Sequence, residues 1–295
     1  MHSHTAKLVL IVLSAVMFVV VGDTIGKLLT TAGVEPFVVA WSRFVVGAII
    51  VLPFCGLKLS ELRFFWRFRV IVRALFITGA ISSIITALKT EPIANVFGVF
   101  FIGPIISYIL AVIFLKEQTS KSQGVLLILG FCGVMLVVRP GFGLTAGIGF
   151  ALLAGCCYGA YLASTKVIAG EYRPRFLLFS QLLIGSALLT PIGLVSDLSL
   201  PGLDLNLTML LLGSALFSAA GNFLLVIANR MADASLIAPL IYSQLLFATA
   251  FGFMIFDDIP DLITAVGLTL ILISGFGSLA MKSIKASKVK ENTMS

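Results

Sequence analysis

The chain contains SRFVVGAIIVLP at residues 42–53 and SQLLIGSALLTP at residues 180–191, and both stretches carry serine, glycine and proline at the same offsets. Apolar residues fill the positions between these markers. Each half of the chain holds five apolar spans, and an odd number of crossings forces the second copy into a membrane in the opposite orientation. The two stretches therefore predict a pair of inverted repeats, with any ligand site near the bilayer midplane between them.

The composition places these repeats in lipid. A soluble domain carries roughly 25% charged residues, whereas this chain has 11% charged and 59% hydrophobic residues and a mean hydropathy of +1.14. Only helices or closed barrels satisfy the backbone within a bilayer, and the apolar runs are too long and unbroken for barrel strands. The fold class is therefore an all-α polytopic membrane protein.

Ten spans of the roughly 20 apolar residues that a transmembrane helix needs fit the chain. They lie near residues 7–29, 35–54, 70–88, 92–115, 122–138, 146–168, 176–196, 207–229, 234–256 and 262–281. Residues 1–140 form the first five-helix repeat, residues 145–283 form the inverted second repeat, and residues 284–295 form a basic cytoplasmic tail. The first span continues through Val21 without a small-residue cleavage site, so we expect it to be retained rather than removed as a signal peptide.

Motifs of soluble enzymes are missing from the sequence. It contains no Walker motif, HExxH sequence or nucleophile elbow, and the spans leave no room for a separate soluble domain. The four cysteines lie in or beside apolar spans, without partners at metal-ligand spacing. We therefore expect no enzymatic activity, no metal and no cofactor. Inverted repeats of this kind are instead the architecture of secondary transporters.

The distribution of positive charge predicts the orientation in the membrane. With a cytoplasmic N-terminus, 16 of the 20 Lys and Arg residues face the cytoplasm, Arg73 among them, and only Lys89 and Arg139 lie in outer loops. Positive charge collects on the cytoplasmic side, so both termini are expected there. Acidic residues collect in the outer loops, at Glu35, Glu91, Asp197, Asp204, Asp257, Asp258 and Asp261. The net charge of +7 thus reflects topology rather than nucleic-acid binding, and the aromatic and basic segment at 58–69 is favoured as an interfacial anchor.

Ionisable residues at membrane depth are candidates for function because each costs at least about 2.5–3.5 kcal/mol to insert. Asp23 and Lys27 lie four residues apart in span 1, hence on one helix face. Arg43 lies within the outer part of span 2, so the three side chains are expected to meet. Two readings remain open. Asp23 neutralises a neighbouring cation, or Arg43 or Lys27 receives a substrate carboxylate while Asp23 receives an amino group or a coupling proton.

Neutral polar residues extend this candidate site. Tyr158 in span 6, Asn222 in span 8, and Tyr242 and Gln244 in span 9 are expected to line a central cavity. An amide that faces lipid would be expensive, so Gln244 serves either contact between helices or contact with substrate. Helix-interrupting residues fall at matching places in the repeats, at Gly103-Pro104 in span 4 and Pro239 in span 9. Such interruptions mark either simple kinks or the walls of a substrate site.

Together these features resemble the EamA branch of the drug/metabolite transporter superfamily, whose members are ten-span carriers. The resemblance covers nearly the whole chain. It rests on a lysine near the end of the first span of each repeat (Lys27 and Lys166), on Arg43 in span 2, and on the sequence AVIFLKE, which ends at Glu117. The second repeat offers FMIFDD, with Asp258 in the place of Glu117. The chain differs from this pattern where Gln181 replaces Arg43 in the second repeat, so an anion contact would be asymmetric.

The resemblance implies a cavity formed by spans 1, 3, 4, 6, 8 and 9, and alternating access by rocking of the two halves. We expect a secondary active transporter that exports small polar or zwitterionic metabolites, namely amino acids or their derivatives. Uptake of a metabolite such as S-adenosylmethionine or riboflavin, or flipping of a lipid or lipid-linked sugar, is the alternative. The partners expected are a small-molecule substrate and the lipid bilayer, with protons as a candidate coupling ion and no nucleic acid. The carrier is expected as a monomer or homodimer in a bacterial inner (plasma) membrane.

Overall fold

A computed structural model describes residues 2–91, 93–117, 119–139, 145–195, 204–256 and 261–292. The described chain folds into twelve α-helices and one 3₁₀ helix. In order they are α1 (His2–Thr31), α2 (Pro36–Cys55), the 3₁₀ helix (Leu59–Trp66), α3 (Phe68–Thr90), α4 (Ile93–Phe100), α5 (Gly103–Phe114), α6 (Lys121–Val138), α7 (Ala146–Ile168), α8 (Pro174–Val195), α9 (Leu205–Met231), α10 (Ala234–Ile241), α11 (Gln244–Phe256) and α12 (Leu262–Asn292). Among the described residues no strand occurs.

These helices form ten membrane spans, as predicted. Within the described ranges, nine spans are long and apolar enough to cross a bilayer, and the apolar stretch Leu262–Ser278 of α12 supplies a shorter tenth. The prediction of an all-α polytopic fold is confirmed. α12 continues to Asn292 through the residues expected to form a separate tail, and the predicted loop residues Asp197, Asp257 and Asp258 lie outside the described residues.

The packing of the spans follows the two-fold relation between the repeats. Span 1 (α1) packs mainly against span 8 (α9), and its counterpart span 6 (α7) packs mainly against span 3 (α3). Spans 2 and 7 (α2 and α8) pack on each other, as do spans 5 and 10 (α6 and α12). Each contact thus maps onto itself or onto its partner when the repeats are exchanged, which is the arrangement that inverted repeats require.

Two short segments, Arg73-Ala-Leu-Phe76 in α3 and Ser214-Ala-Leu-Phe217 in α9, align spans 3 and 8 residue by residue. Spans 2 and 7 align in the same way through their shared serine, glycine and proline, so Arg43 and Gln181 occupy equivalent positions in the two repeats. This register matters for the site because it identifies which side chains occupy equivalent positions in the two repeats.

Spans 4 and 9 are both interrupted, span 4 directly before the predicted Gly103-Pro104 and span 9 beyond the predicted Pro239. α4 ends at Phe100 and α5 begins at Gly103, just before Pro104, which has no N–H to offer the carbonyl of Phe100. Pro239 lies inside α10, and the interruption comes after Ile241. There the Ser243 hydroxyl donates to the Leu240 carbonyl at 2.6 Å and competes with the helical backbone bonds.

Glycines on α7 hold the interrupted span 4 at close range. A Cβ at Gly155 would lie 2.7 Å from the Phe100 carbonyl oxygen, and one at Gly159 would lie 2.5 Å from that of Gly103. These backbones therefore touch without side chains between them. The interruptions of the two repeats also meet each other, because the rings of Phe101 and Tyr242 pack edge to face with centroids 6.0 Å apart.

Candidate functional site

A buried ion pair lies between α1 and α2, and Arg43 is the one of the two neighbouring cations that bonds to Asp23. The Arg43 guanidinium donates from Nη1 to Asp23 Oδ1 at 2.8 Å. Nη2 donates to the Gly22 carbonyl at 2.7 Å, and Nε donates to Ser214 Oγ on α9 at 3.0 Å. The side chains of Arg43 and Asp23 are only 3% and 12% exposed. The pair therefore joins spans 1, 2 and 8, with a cation and an anion side by side.

The absence of a side chain at Gly26 makes room for the guanidinium. A Cβ there would lie 2.5 Å from Arg43 Nη2, closer than real Cβ contacts. One turn earlier, a Cβ at Gly22 would lie 3.1 Å from the Ser218 backbone nitrogen of α9. The two glycines thus let Arg43 and α9 approach the backbone of α1 directly.

The ion pair forms one wall of a small cavity between the repeats. The cavity has a volume of about 40 Å³, which is enough for a few water molecules at most. Its polar lining consists of Asp23, Arg43, Tyr158, Ser218 and Asn222, and its apolar lining comes mainly from α3. Small-molecule sites usually enclose about 300–1,000 Å³. A metabolite would therefore enter this cavity only when the helices around it move apart.

Four side chains that the sequence selected carry buried polar atoms without a hydrogen-bond partner. These atoms are the hydroxyls of Tyr158 and Tyr242, Oδ1 of Asn222, and both amide atoms of Gln244. A buried group left unpaired costs about 1–3 kcal/mol. Such groups are expected where water or a ligand completes the bonding in another state. The Gln244 amide therefore forms no hydrogen bond to a neighbouring helix among the described residues.

Only part of the predicted site surrounds one cavity. Asp23, Arg43, Tyr158 and Asn222 line it together. Tyr242 lies in the interruption of span 9 and Gln244 begins α11; both are buried, and neither is among the residues that line the cavity. The cavity receives side chains from spans 1, 2, 3, 4, 6 and 8, whereas the family resemblance implied span 9 in place of span 2.

Sequence reasoning misplaced Arg73. It was counted with the cytoplasmic charges, but α3 begins at Phe68, so position 73 lies more than one turn inside the span and is 0% exposed. Its Nε donates to Thr165 Oγ1 at 2.8 Å, Nη1 to the Leu177 carbonyl at 3.0 Å, and Nη2 to the Tyr161 hydroxyl at 3.1 Å. Position 73 already lies inside the predicted span at 70–88, and this position was the signal in the sequence that could have found it.

One end of the bundle is closed by polar contacts between spans 4, 6 and 9. The Glu117 carboxylate accepts the backbone N–H groups of Ala234 and Ser235, both at 3.0 Å, and so caps the N-terminus of α10. Lys166 donates to the Ala232 carbonyl at 2.7 Å and lies 3.6 Å from Asp233. Glu117 and Lys166, two of the residues that carry the family resemblance, therefore fix the start of span 9.

Beyond the spans, ion pairs connect the loops on both faces. Arg173 binds Glu61 of the 3₁₀ helix through Nε at 2.8 Å and Nη2 at 2.5 Å, which lowers the pKa of the Glu61 carboxyl. On the opposite face Arg139 binds Asp261 at 2.5 Å, and this bond lowers the pKa of Asp261. Leu59 and Trp66 at the ends of the 3₁₀ helix are 88% and 84% exposed, as an interfacial anchor would be.

An inverted-repeat bundle with a narrow, ion-paired cavity between its halves defines a membrane transporter rather than an enzyme. Comparison with protein families agrees with this class. The model of the EamA-like transporter family matches residues 6–139 and again residues 145–280. The chain belongs to this family, within the drug/metabolite transporter superfamily.

Several named proteins are similar to the chain over most of its length. The S-adenosylmethionine uptake transporter of Rickettsia felis is 27% identical, over 85% of this chain and 84% of that protein. Solute carrier family 35 member G1 of Mus musculus is 26% identical, over 94% and 79%. A riboflavin transporter of Rhizobium johnstonii is 24% identical, over 79% and 77%. A solved crystal structure superposes with a TM-score of 0.81 over 94% of this chain and 98% of the other, and at 16% identity it shows the fold alone.

Proposed function

We propose that the protein is a secondary carrier of small zwitterionic metabolites, amino acids or their derivatives, and that it works by alternating access. The observation that carries the proposal is the buried Arg43–Asp23 pair in the wall of the cavity. A cation and an anion 2.8 Å apart match the carboxylate and ammonium groups of an α-amino acid in charge. A neutral substrate would pair with neither charge, although both charges are costly to place at this depth.

Substrate binding is proposed to occur by exchange of partners. The incoming carboxylate takes the place of Asp23 on the Arg43 guanidinium, as a bidentate acceptor. Asp23, released from Arg43, then receives the substrate ammonium. The unpaired Tyr158 hydroxyl and Asn222 Oδ1 supply further polar contacts in the same cavity. Because protonation of Asp23 would also release Arg43, protons are a candidate coupling ion.

The orientation follows from the positive charges in the sequence. Both termini are proposed to be cytoplasmic in an inner (plasma) membrane, which puts Arg43 in the outer half of the bilayer and Arg73 in the inner half. The carrier acts as a monomer or homodimer. Export is the direction that the sequence analysis favoured.

Uptake of S-adenosylmethionine is the second candidate, because the Rickettsia relatives carry that name over 85% of this chain. S-adenosylmethionine is itself an amino-acid derivative with a carboxylate and an ammonium group. Its carboxylate and ammonium groups therefore meet the same charge requirement, but the sulfonium group adds one positive charge, and the direction of transport and the size of the substrate also differ.

Purified protein in proteoliposomes tests the proposal. Labelled S-adenosylmethionine, phenylalanine and riboflavin should be measured for wild type, Arg43→Gln, Asp23→Asn and the control Lys89→Gln, which breaks an exposed ion pair with Glu35. Loss of one charge-assisted bond costs about 1.5–3 kcal/mol, so Arg43→Gln should weaken zwitterion binding about 10- to 100-fold. Asp23→Asn should reduce the preference for substrates that carry an amino group. Zwitterion transport that is equal in all four proteins would refute the proposal, as would transport of riboflavin or lipid alone.

A further inference from the structure

Arg73 lies at the centre of a second buried polar site, the Arg73 site, which consists of Arg73, Tyr161, Thr165, Gln181 and the Leu177 carbonyl. All three of the arginine's hydrogen bonds end on neutral oxygens. Its guanidinium carbon lies 4.8 Å from the centroid of the Tyr161 ring. The Tyr161 hydroxyl, which accepts from Arg73, in turn donates to Gln181 Oε1 at 3.1 Å.

The charge of Arg73 has no counter-ion among the described side chains. Arg43 is balanced by Asp23 at 2.8 Å, but no carboxylate forms an ion pair with Arg73 in the described part of the chain. A fully buried cation without an anion is costly because both its hydration and its ion pairing are lost. Two of the five guanidinium N–H groups also remain beyond those three bonds. The site therefore has the charge and the donors to receive an oxyanion.

The Arg73 site is the inverted-repeat counterpart of the Arg43 site, which consists of Arg43, Asp23, Ser214 and the Gly22 carbonyl. Ser214, which binds Arg43, occupies the position in span 8 that Arg73 occupies in span 3, as the shared Ala-Leu-Phe shows. Gln181, which belongs to the Arg73 site, occupies the position in span 7 that Arg43 occupies in span 2. One guanidinium thus lies at each of two equivalent places. Span 2 supplies the first, through Arg43, and span 3 supplies the second, through Arg73.

The Arg73 site also adjoins the cavity. Ile77 of α3 lines the cavity, and Arg73 lies one turn from it on the same face, about 6 Å away at 1.5 Å rise per residue. On α7 the cavity residue Tyr158 stacks on Tyr161, with ring centroids 6.2 Å apart. A ligand in the cavity would therefore reach Arg73 by passing one pair of tyrosine rings.

An aromatic cluster lies one turn closer to the start of α3 than Arg73, where Val70 packs together with Phe64, Phe65 and Phe176. Phe65 packs on Phe176 with centroids 5.1 Å apart, and Phe64 packs on Tyr172 at 5.3 Å. Phe176 directly precedes Leu177, whose carbonyl accepts from Arg73. In this conformation the site is closed toward the membrane face where α3 begins, and rearrangement of these rings would open it to that face.

We propose that the Arg73 site is a second oxyanion site, which binds the carboxylate of the transported metabolite when the carrier opens to the face where α3 begins and α7 ends. The Arg43 site serves the opposite face, so the first repeat supplies both guanidinium groups and one is presented to each side of the membrane. This inference rests on the proposed function for the identity of the anion. The shared chemistry is that of an oxyanion, either a substrate carboxylate or free phosphate.

Transport measured separately from each face tests the proposal. The probes are S-adenosylmethionine and its decarboxylated analogue, in proteoliposomes of known protein orientation. Arg73→Gln should raise the half-saturation concentration of S-adenosylmethionine about 10- to 100-fold at the face where α3 begins, and less than about 3-fold at the other face. The decarboxylated analogue should show no such difference, and Arg73→Lys should recover part of the loss. The matched control is Arg69→Gln, the same change one turn earlier on α3 at an exposed position.

Equal losses at both faces, equal losses for both probes, or a loss no larger than that of Arg69→Gln would overturn the inference. If Arg73→Gln fails to fold, Gln181→Glu replaces it. The new carboxylate would bind the Tyr161 hydroxyl that Arg73 also contacts, and it would compete with the substrate carboxylate for the charge of Arg73. The variant should therefore have a higher melting temperature and bind S-adenosylmethionine more weakly at that face. A folded Gln181→Glu variant with unchanged half-saturation would count against the proposal.

The proposed function and this inference fail in different ways. A wild-type protein that carries no zwitterion refutes the proposed function. The Arg73 site is then tested by thermal unfolding in inorganic phosphate, and separately in acetate, against chloride of equal ionic strength. A higher melting temperature of wild type, but not of Arg73→Gln, supports the site. The anion that raises the melting temperature then shows whether the site binds phosphate or a carboxylate. Protection that is absent in wild type, or unchanged in Arg73→Gln, overturns it.

Discussion

Replacement of Gly26 by alanine should disturb the ion pair without changing either of its charges. The added Cβ would lie 2.5 Å from Arg43 Nη2, whereas an ordinary contact begins near 3.4 Å, so the guanidinium must move by about 0.9 Å. A shift of that size would stretch the 2.7 Å bond to the Gly22 carbonyl to about 3.6 Å, beyond hydrogen-bonding distance. Loss of one such bond costs about 1.5–3 kcal/mol. We therefore expect a 10- to 100-fold rise in the half-saturation concentration of S-adenosylmethionine.

The matched control for this change is Gly213→Ala on the facing helix α9. Its Cβ would meet only Ile25 Cδ1, at 3.4 Å, so it adds a methyl group to the same interface without strain. Both variants gain about 1 kcal/mol of helix propensity, which cancels in their comparison. Gly26→Ala should melt at a lower temperature than Gly213→Ala and bind substrate more weakly. Identical melting temperatures and half-saturation values in the two variants would refute the assignment of Arg43 as a held, substrate-binding group.

Three further changes probe other parts of the structure. Gly159→Ala should lower the melting temperature through about 1–3 kcal/mol of overpacking against the Gly103 carbonyl, while Gly149→Ala, with nothing within 4 Å, should not. Tyr158→Phe should leave the empty carrier equally stable or more stable, because its hydroxyl is unpaired, but should weaken transport if that hydroxyl contacts substrate. Glu61→Gln should lower the melting temperature at neutral pH. Because the folded pKa of Glu61 is depressed, its contribution is present above the unfolded pKa of about 4.3 and lost as pH falls through the folded pKa, so a pH series should show the two proteins converging under acid.

The fold and the first ion pair were predictable from sequence because both follow from local rules. Span length and hydropathy fix ten crossings, and an ionisable residue at mid-depth must find a partner, as Asp23 and Arg43 do. Arg73 escaped because sorting charges by loop treats a residue five positions into a helix as a loop residue. The interruption of span 9 escaped because it falls at Tyr242 and Ser243, beyond the proline that sequence reasoning counted. Which polar residues share one cavity depends on the packing of helices distant in sequence, as the separation of Gln244 from Asn222 illustrates.

The charges of Arg43 and Arg73 are balanced differently, and on the proposed function this difference makes closure at the two membrane faces respond differently to substrate. The charge of Arg43 is satisfied within the chain by Asp23, so the Arg43 side can close without a ligand. Among the described residues, the charge of Arg73 meets only neutral oxygens and a tyrosine ring, so closure on that side leaves a buried cation without an anion from that part of the chain. A bound carboxylate would remove this penalty at Arg73 and would only replace one anion with another at Arg43. On the proposed function, substrate therefore favours closure most strongly at the face where α3 begins, and the two-fold scaffold works with two chemically different ends.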